Sequence, residues 1–252
     1  MKRVYLDWAS AAPISAGARR VFLKAMESFG NPSSPHAEGE QACVILERTR
    51  KSIARLAGVK ADGVIFTSGA TEANNIAIKG VAGTSRKGAH MLYLPTSHSS
   101  IVETMKSLGD QGVEIEPLVI TDGAVDLAVL KKQLRPETVL VSMDVICGET
   151  GTKYATRDVR RVLDAHYELQ KKDAEANTAG RVGRILLHVD ASQAPFVESI
   201  DCNHLGADLL TLDAQKVGGV RGIGTLIRTN TFIPIRPIMQ GGGQEQGIRP
   251  GT

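Results

Sequence analysis

The stretch Val64-Ile65-Phe66-Thr67-Ser68-Gly69-Ala70-Thr71-Glu72-Ala73-Asn74-Asn75 decides the fold. An apolar, β-prone run, Val64–Phe66, enters a turn of small residues and opens into a helical pattern from residue 72. That is one strand-to-helix unit of an α/β protein. The alternation recurs along the chain. Further short apolar runs are Met91–Leu94, Val113–Leu118, Val139–Met143, Ile185–Val189, Leu209–Leu212 and Gly224–Ile227. Helical patterns fall at 37–57, 72–82, 99–108, 126–134 and 157–172. In the first of these, Ile53 and Ala57 continue a stripe begun by Cys43 and Leu46, and Gly58 supplies the stop. Continuous apolar strands separated by helices predict a mainly parallel, seven-stranded type of sheet covered on both faces.

Composition narrows the function classes. The chain has 252 residues, and 30 Lys plus Arg against 27 Asp plus Glu leave a net charge of +3. That charge is too small to argue for nucleic acid, and aromatics at 4% argue against stacking platforms for single strands. No apolar run approaches the ~20 residues that span a bilayer. The start, Met1-Lys2-Arg3 into Trp8-Ala9-Ser10, is too short and interrupted for a secretory signal. Cys43, Cys147 and Cys202 show neither metal-ligand spacing nor a disulfide framework, which predicts a cytoplasmic protein with reduced thiols and no metal. Cys43 is predicted in the core and Cys202 in a loop. Residues 171–184 read as a solvated helix end and loop. From Arg228 the pattern turns to Pro234, Pro237, Gly241–Gly243 and Pro250, an exit from the sheet domain. The expected division is an N-terminal segment at 1–30, a large domain at 31–230 and an exit segment at 231–252.

Three pieces carry chemistry. The Thr67–Asn75 turn presents backbone N–H groups at a helix N-terminus, a ready phosphate cradle to which the Thr71 hydroxyl adds a donor. Taken alone it is also an ordinary capped turn. In Leu187-His188-Val189-Asp190-Ala191-Ser192-Gln193 an Asp ends a buried strand, where α/β sheets place ligand-binding groups. Its desolvated carboxylate calls for a cationic partner, and a protonated ring nitrogen is one candidate; capping of the next helix is the alternative. In Asp213-Ala214-Gln215-Lys216 a Lys follows the strand Leu209–Leu212, either as a Schiff-base former or as a surface lysine in a Gly-rich hairpin. The following Gly219–Gly224 run is a poor dinucleotide fingerprint, because a strand rather than a helix comes next. Together, a phosphate cradle, an Asp for a pyridinium nitrogen and a Schiff-base Lys are what pyridoxal phosphate demands. His98, just past another strand, adds an imidazole that could stack on the ring and move protons.

The chain resembles the class V pyridoxal-phosphate aminotransferases, and within them the cysteine desulfurases. The resemblance runs through Tyr5-Leu6-Asp7, Gly30-Asn31-Pro32-Ser33-Ser34, Thr67–Asn75, the His98 segment, His188–Gln193 and Lys216. It ends in Gly241-Gly242-Gly243-Gln244-Glu245 and Arg249-Pro250-Gly251-Thr252. It implies a fold type I large domain that converts L-cysteine to alanine plus an enzyme persulfide. That sulfur would reach an acceptor protein, for iron–sulfur clusters or thio-cofactors. It also implies a homodimer. Selenocysteine lyase and other class V aminotransferases are the nearest alternatives, and a non-catalytic scaffold or incomplete gene product is a different one. The resemblance makes Lys216 the covalent anchor of the cofactor, stacks His98 on the ring and pairs Asp190 with the ring nitrogen. It gives Gln193 to the phenolic oxygen, Ala70 and Thr71 to the phosphate, and Thr252 to the phosphate of the partner subunit. The lysine turn differs from the family: Asp213 and Gln215 stand at cofactor-binding positions usually held by Ser or Thr and by His. An Asp beside a phosphate is repulsive by about 4 kcal/mol per charge pair at ~4 Å and an effective dielectric of ~20. Asp213 must turn away, be protonated or be bridged by a cation. Cys147-Gly148-Glu149 replaces the family's Asn-Asn-Glu, which predicts a missing amide contact. The resemblance also implies a smaller C-terminal domain, carrying the sulfur-accepting cysteine and a carboxylate-binding arginine, that this chain is expected to lack.

Overall fold

The computed structural model describes residues 3–176 and 183–251. Thr252 therefore lies outside the described residues, as does the 177–182 part of the expected loop. The described strands are β1 (Val64–Thr67), β2 (His90–Tyr93), β3 (Glu114–Pro117), β4 (Ile120–Thr121), β5 (Ala124–Val125), β6 (Thr138–Asp144), β7 (Leu186–Asp190), β8 (Leu209–Asp213) and β9 (Gly224–Arg228). The helices are α1 (Ala16–Ala25), α2 (Ala37–Ala57), α3 (Ala70–Ala82), α4 (Ser99–Gly109), α5 (Leu127–Gln133), α6 (Thr156–Ala176) and the one-turn α7 (Cys202–Leu205).

Seven strands form one sheet in the order β1-β9-β8-β7-β6-β2-β3. Pairs β2–β3, β2–β6, β6–β7 and β7–β8 are parallel, and β9 is antiparallel to both β1 and β8. The mainly parallel expectation holds, and the exception has a length-based cause. Ten residues join β8 to β9, too few for the crossover of a dozen or more that parallel neighbours need. The link is instead the lysine turn, a 3₁₀ segment Ala214–Val217 closed by Gly218 at φ +75°. Short β4 and β5 form a separate two-stranded ribbon.

Each face of the sheet carries its own apolar core. One joins Ala73, Ile76 and Ala77 of α3 to Ile101 and Met105 of α4. The other joins Ala54 and Ala57 of α2 to Leu130 of α5, Val159 and Leu163 of α6, and Cys202 and Leu205 of α7. Two thiols depart from expectation. Cys43 is half-buried on α2 and belongs to neither core, whereas Cys202 is buried at the start of α7 rather than placed in a loop. Burial, with the nearby Asp201 and Asp208 carboxylates, pushes the Cys202 thiol up to about 12.

Two glycines let the β1–α3 turn sit against the sheet. Gly69 has φ +153° and ψ 177°, a region effectively reserved for glycine. A Cβ on Gly224 would lie 2.5 Å from the Gly69 carbonyl carbon, so β9 passes the turn only without a side chain. The final segment is tied back by a fork. Arg50 donates through Nη1 and Nη2 to the two Glu245 oxygens, each at 2.7 Å, and Glu245 Oε2 also accepts from Phe66 N–H at 2.7 Å.

Candidate active site

The site lies at the carboxyl ends of the parallel strands, where such sheets bind ligands. Three neighbouring strands each end in an aspartate: β6 in Asp144, β7 in Asp190 and β8 in Asp213. Asp144 and Asp190 are direct register partners. The three are 4%, 7% and 8% exposed, and all line one cleft of about 400 Å³. Lys216, His98, Gln193, Gln215, Ala70 and Thr71 line the same cleft. The structure thus brings together every described residue that the sequence reading picked for a site.

Asp190 is held by dipoles. Its Oδ2 accepts from Asn74 Nδ2 at 2.8 Å, and its Oδ1 accepts from the Ser192 N–H at 2.9 Å and the Ser192 hydroxyl at 2.6 Å. Among the described residues no ion pair is made by Asp190. The other Asn74 Nδ2 proton goes to Ser100 Oγ at 2.8 Å, and Ser100 Oγ is 2.8 Å from His98 Nδ1. Because the Ser100 N–H also donates to Nδ1, at 3.2 Å, that nitrogen is the acceptor and a neutral His98 carries its proton on Nε2. Behind Asp190, His188 is fully buried between Ser142 Oγ and Thr211 Oγ1, at 2.8 and 3.0 Å. Burial pulls its imidazole down to about 4, so it stays neutral.

Lys216 faces the N-terminal segment. Its Nζ donates to the carbonyls of Ala9 and Ser10, both at 2.7 Å, and Gln193 Nε2 donates to the Ala9 carbonyl at 2.8 Å. Ala12 N–H to Gln215 O at 3.1 Å and Ser15 N–H to Gly218 O at 2.9 Å stitch that segment to the lysine turn. Asp213 does not turn away from the expected cradle. Its Oδ2 accepts from Ala70 N–H at 3.2 Å and its Oδ1 from Gln215 N–H at 3.0 Å. Cys147 lies buried in the cleft wall, with its thiol 3.4 Å from the Thr96 carbonyl.

Asp144 is a site residue that sequence reading missed. Its Oδ2 accepts from His98 N–H at 3.2 Å, and its buried Oδ1 has no partner among the described residues. Burial first, and then the facing Asp190 charge, push its carboxyl up to about 8. Asn74 and Ser192 stand inside the strand-end motifs, and only the fold shows that they serve Asp190.

The Asp144 shift has a sign that stability can read. Between the usual carboxylate range and about pH 8, the folded chain keeps a proton that the unfolded chain has lost. Stability therefore falls as pH rises through that window, by at most about 1.4 kcal/mol per pH unit, and levels off above it. Asp144→Asn removes this slope. In urea titrations at pH 5, 7 and 9 the variant is expected to gain on the parent as pH rises. Parallel pH profiles of the two proteins would refute the shift.

The aminotransferase class-V family model matches residues 4–249. A cysteine desulfurase IscS of Dictyoglomus turgidum is 39% identical over 259 residues, across 100% of this chain and 60% of that protein. A mitosomal cysteine desulfurase of Encephalitozoon cuniculi is 36% identical over 258 residues, across 100% of this chain and 56% of that protein. Among solved structures, a NifS-like protein superposes with a TM-score of 0.89 at 31% identity, covering 100% of this chain and 65% of the other. A structure of SspA in complex with cysteine gives a TM-score of 0.87 at 29% identity, covering 99% and 68%. The chain spans about 60% of the length of the curated relatives it matches. With the family model covering nearly all of it, the chain belongs to the class V aminotransferases.

Proposed function

We propose that this chain is the pyridoxal-binding large domain of a cysteine desulfurase acting on L-cysteine. The observation that carries the reading is the convergence of Lys216, Asp190 and His98 on one cleft at the strand ends. Class V aminotransferases and cysteine desulfurases are pyridoxal-phosphate families, and the names of the relatives support cysteine as the substrate.

The residues fit the ring better than the phosphate. Asp190 is a buried carboxylate without an ion-pair partner among the described residues, as a protonated ring nitrogen requires. At the α3 end, however, the Asp213 carboxylate sits on Ala70 N–H. When bound, pyridoxal supplies an electron sink for charge developing at the substrate α-carbon. Asp190 holds a proton at the ring nitrogen, and Asn74 and Ser192 fix its orientation. Lys216, once free of the Ala9 and Ser10 carbonyls, would hold the ring and move the α-proton. His98 keeps a proton on Nε2 beside the ring, and Gln193 orients the phenolic oxygen. The overall reaction moves the γ-sulfur of cysteine to a thiolate, leaving alanine. We assign residues 31–230 to this domain. We also propose a homodimer in a reducing compartment, the cytosol, passing sulfur to an acceptor protein. Three unpaired thiols support the compartment.

The test is to incubate the chain with L-cysteine in D₂O, with pyridoxal and pyridoxal phosphate in parallel. Deuterium at Cα and free alanine are then measured. Exchange well above the ligand-only rate is expected. Repeated formation of protein-bound persulfide is not, because Cys147 and Cys202 are buried and Cys43 lies on α2 outside the cleft. Absence of exchange with either ligand would overturn the reading.

A further inference from the structure

The seat that a phosphate would take is already held by a carboxylate. Asp213 Oδ2 accepts from Ala70 N–H at 3.2 Å, in the first turn of α3, and Gln215 supports the carboxylate through its N–H at 3.0 Å. Asp213 is only 8% exposed, so it is packed into this position rather than lying on the surface. Across the turn, Glu72 Oε2 accepts from Ser68 N–H at 2.5 Å, and Glu72 Oε1 takes Arg249 Nε at 3.0 Å. A side pocket of about 230 Å³ opens between these two carboxylates and shares Ala70, Thr71, Asp213 and Gln215 with the main cleft. The main cleft is itself acidic. Asp7, Asp144, Glu149, Asp190 and Asp213 line it, and Lys216 is its one Lys or Arg among the described residues.

A phosphate ester and a carboxylate are poor neighbours. Both carry negative charge, and both offer only acceptors, so no proton lies between them. A hydroxymethyl group carries a donor that a carboxylate accepts in a charge-assisted bond. We infer that Asp213 is a specificity-determining residue that turns this end of the cleft toward a pyridoxal-type ring bearing a free 5′-hydroxymethyl group and away from the 5′-phosphate ester. The inference rests on the proposed pyridoxal reading of the cleft.

Pyridoxine and pyridoxine 5′-phosphate test it, because neither has an aldehyde and neither can join Lys216. Their affinities for the full chain, Asp213→Ser and Asp213→Asn are measured by calorimetry. The parent is expected to bind pyridoxine at least as tightly as the phosphate ester. Both variants are expected to shift the ratio toward the ester by about tenfold or more. Asn keeps the size of the side chain and an acceptor for Ala70 N–H, so it carries the test if the Ser variant fails to fold. A parent that prefers the phosphate ester about tenfold, or a ratio unmoved by either substitution, overturns the inference and leaves the cleft reading standing. Binding of neither ligand to any of the three proteins overturns both.

Discussion

Lys216→Ala is expected to lower α-proton exchange by about 10³-fold or more while leaving the fold intact. Lys216 is the one lysine lining the cleft among the described residues, and its Nζ is 2.7 Å from two backbone carbonyls, of Ala9 and Ser10. These two bonds tether the amine to the N-terminal segment, and it must give them up to reach a ligand in the cleft. The fold should survive because the lysine turn is set by backbone features. Asp213 caps it through Gln215 N–H, and Gly218 closes it at φ +75°. In the parent, borohydride reduction after loading with pyridoxal should leave one pyridoxyl-labelled peptide, the one containing Lys216. A label on another lysine would contradict the assignment, as would a variant that exchanges at the parental rate.

The inner strands were readable because they are short apolar runs closed by polar or small residues, and burial on both faces removes the alternation that a half-exposed strand shows, as edge strand β3, Glu114–Pro117, does. The reversal of β9 was not visible in that pattern. It follows from the ten-residue link through the lysine turn, and an apolar run has no direction. Helix α1 is absent from the predicted helices although Ala18, Val21, Phe22 and Ala25 stand at helical spacing; two of the four are alanines, and none of the helix's residues is buried. Cys43 was misplaced for the related reason that a stripe on α2 does not say how deep each member lies. The site divides in the same way. Lys216, Asp190 and His98 were legible because each follows a strand, and strand ends converge in an α/β sheet. Asp144 also ends a strand, but its importance depends on the β6–β7 register that sets it opposite Asp190. Asp213 showed its conflict in the sequence without its resolution. In the structure the carboxylate stays at the α3 end on Ala70 N–H, so its conflict with a phosphate there stands.

Asp190→Asn is expected to cut α-proton exchange by about 10²–10⁴-fold while changing ligand retention little. The substitution keeps the shape of the side chain, so no cavity forms; one oxygen becomes an N–H₂ donor, which a turned Asn74 amide can accept through its unpartnered Oδ1. What disappears is the negative charge beside the position where a ring nitrogen would hold its proton. The anchoring by Lys216 does not depend on that charge, hence the split between retention and turnover. A purely structural role for Asp190 would lower both together. The same variant carries a second readout. The carboxyl of Asp144 is raised first by burial and then by the facing charge of Asp190. Removing that charge leaves only burial, so Asp144 should titrate at lower pH, and the window over which stability falls with rising pH should narrow from its upper end. The narrowing would show that the two carboxylates are coupled across β6 and β7, independently of any ligand. Exchange at the parental rate in Asp190→Asn would remove Asp190 from the chemistry, and an unmoved stability profile would show that burial alone sets Asp144.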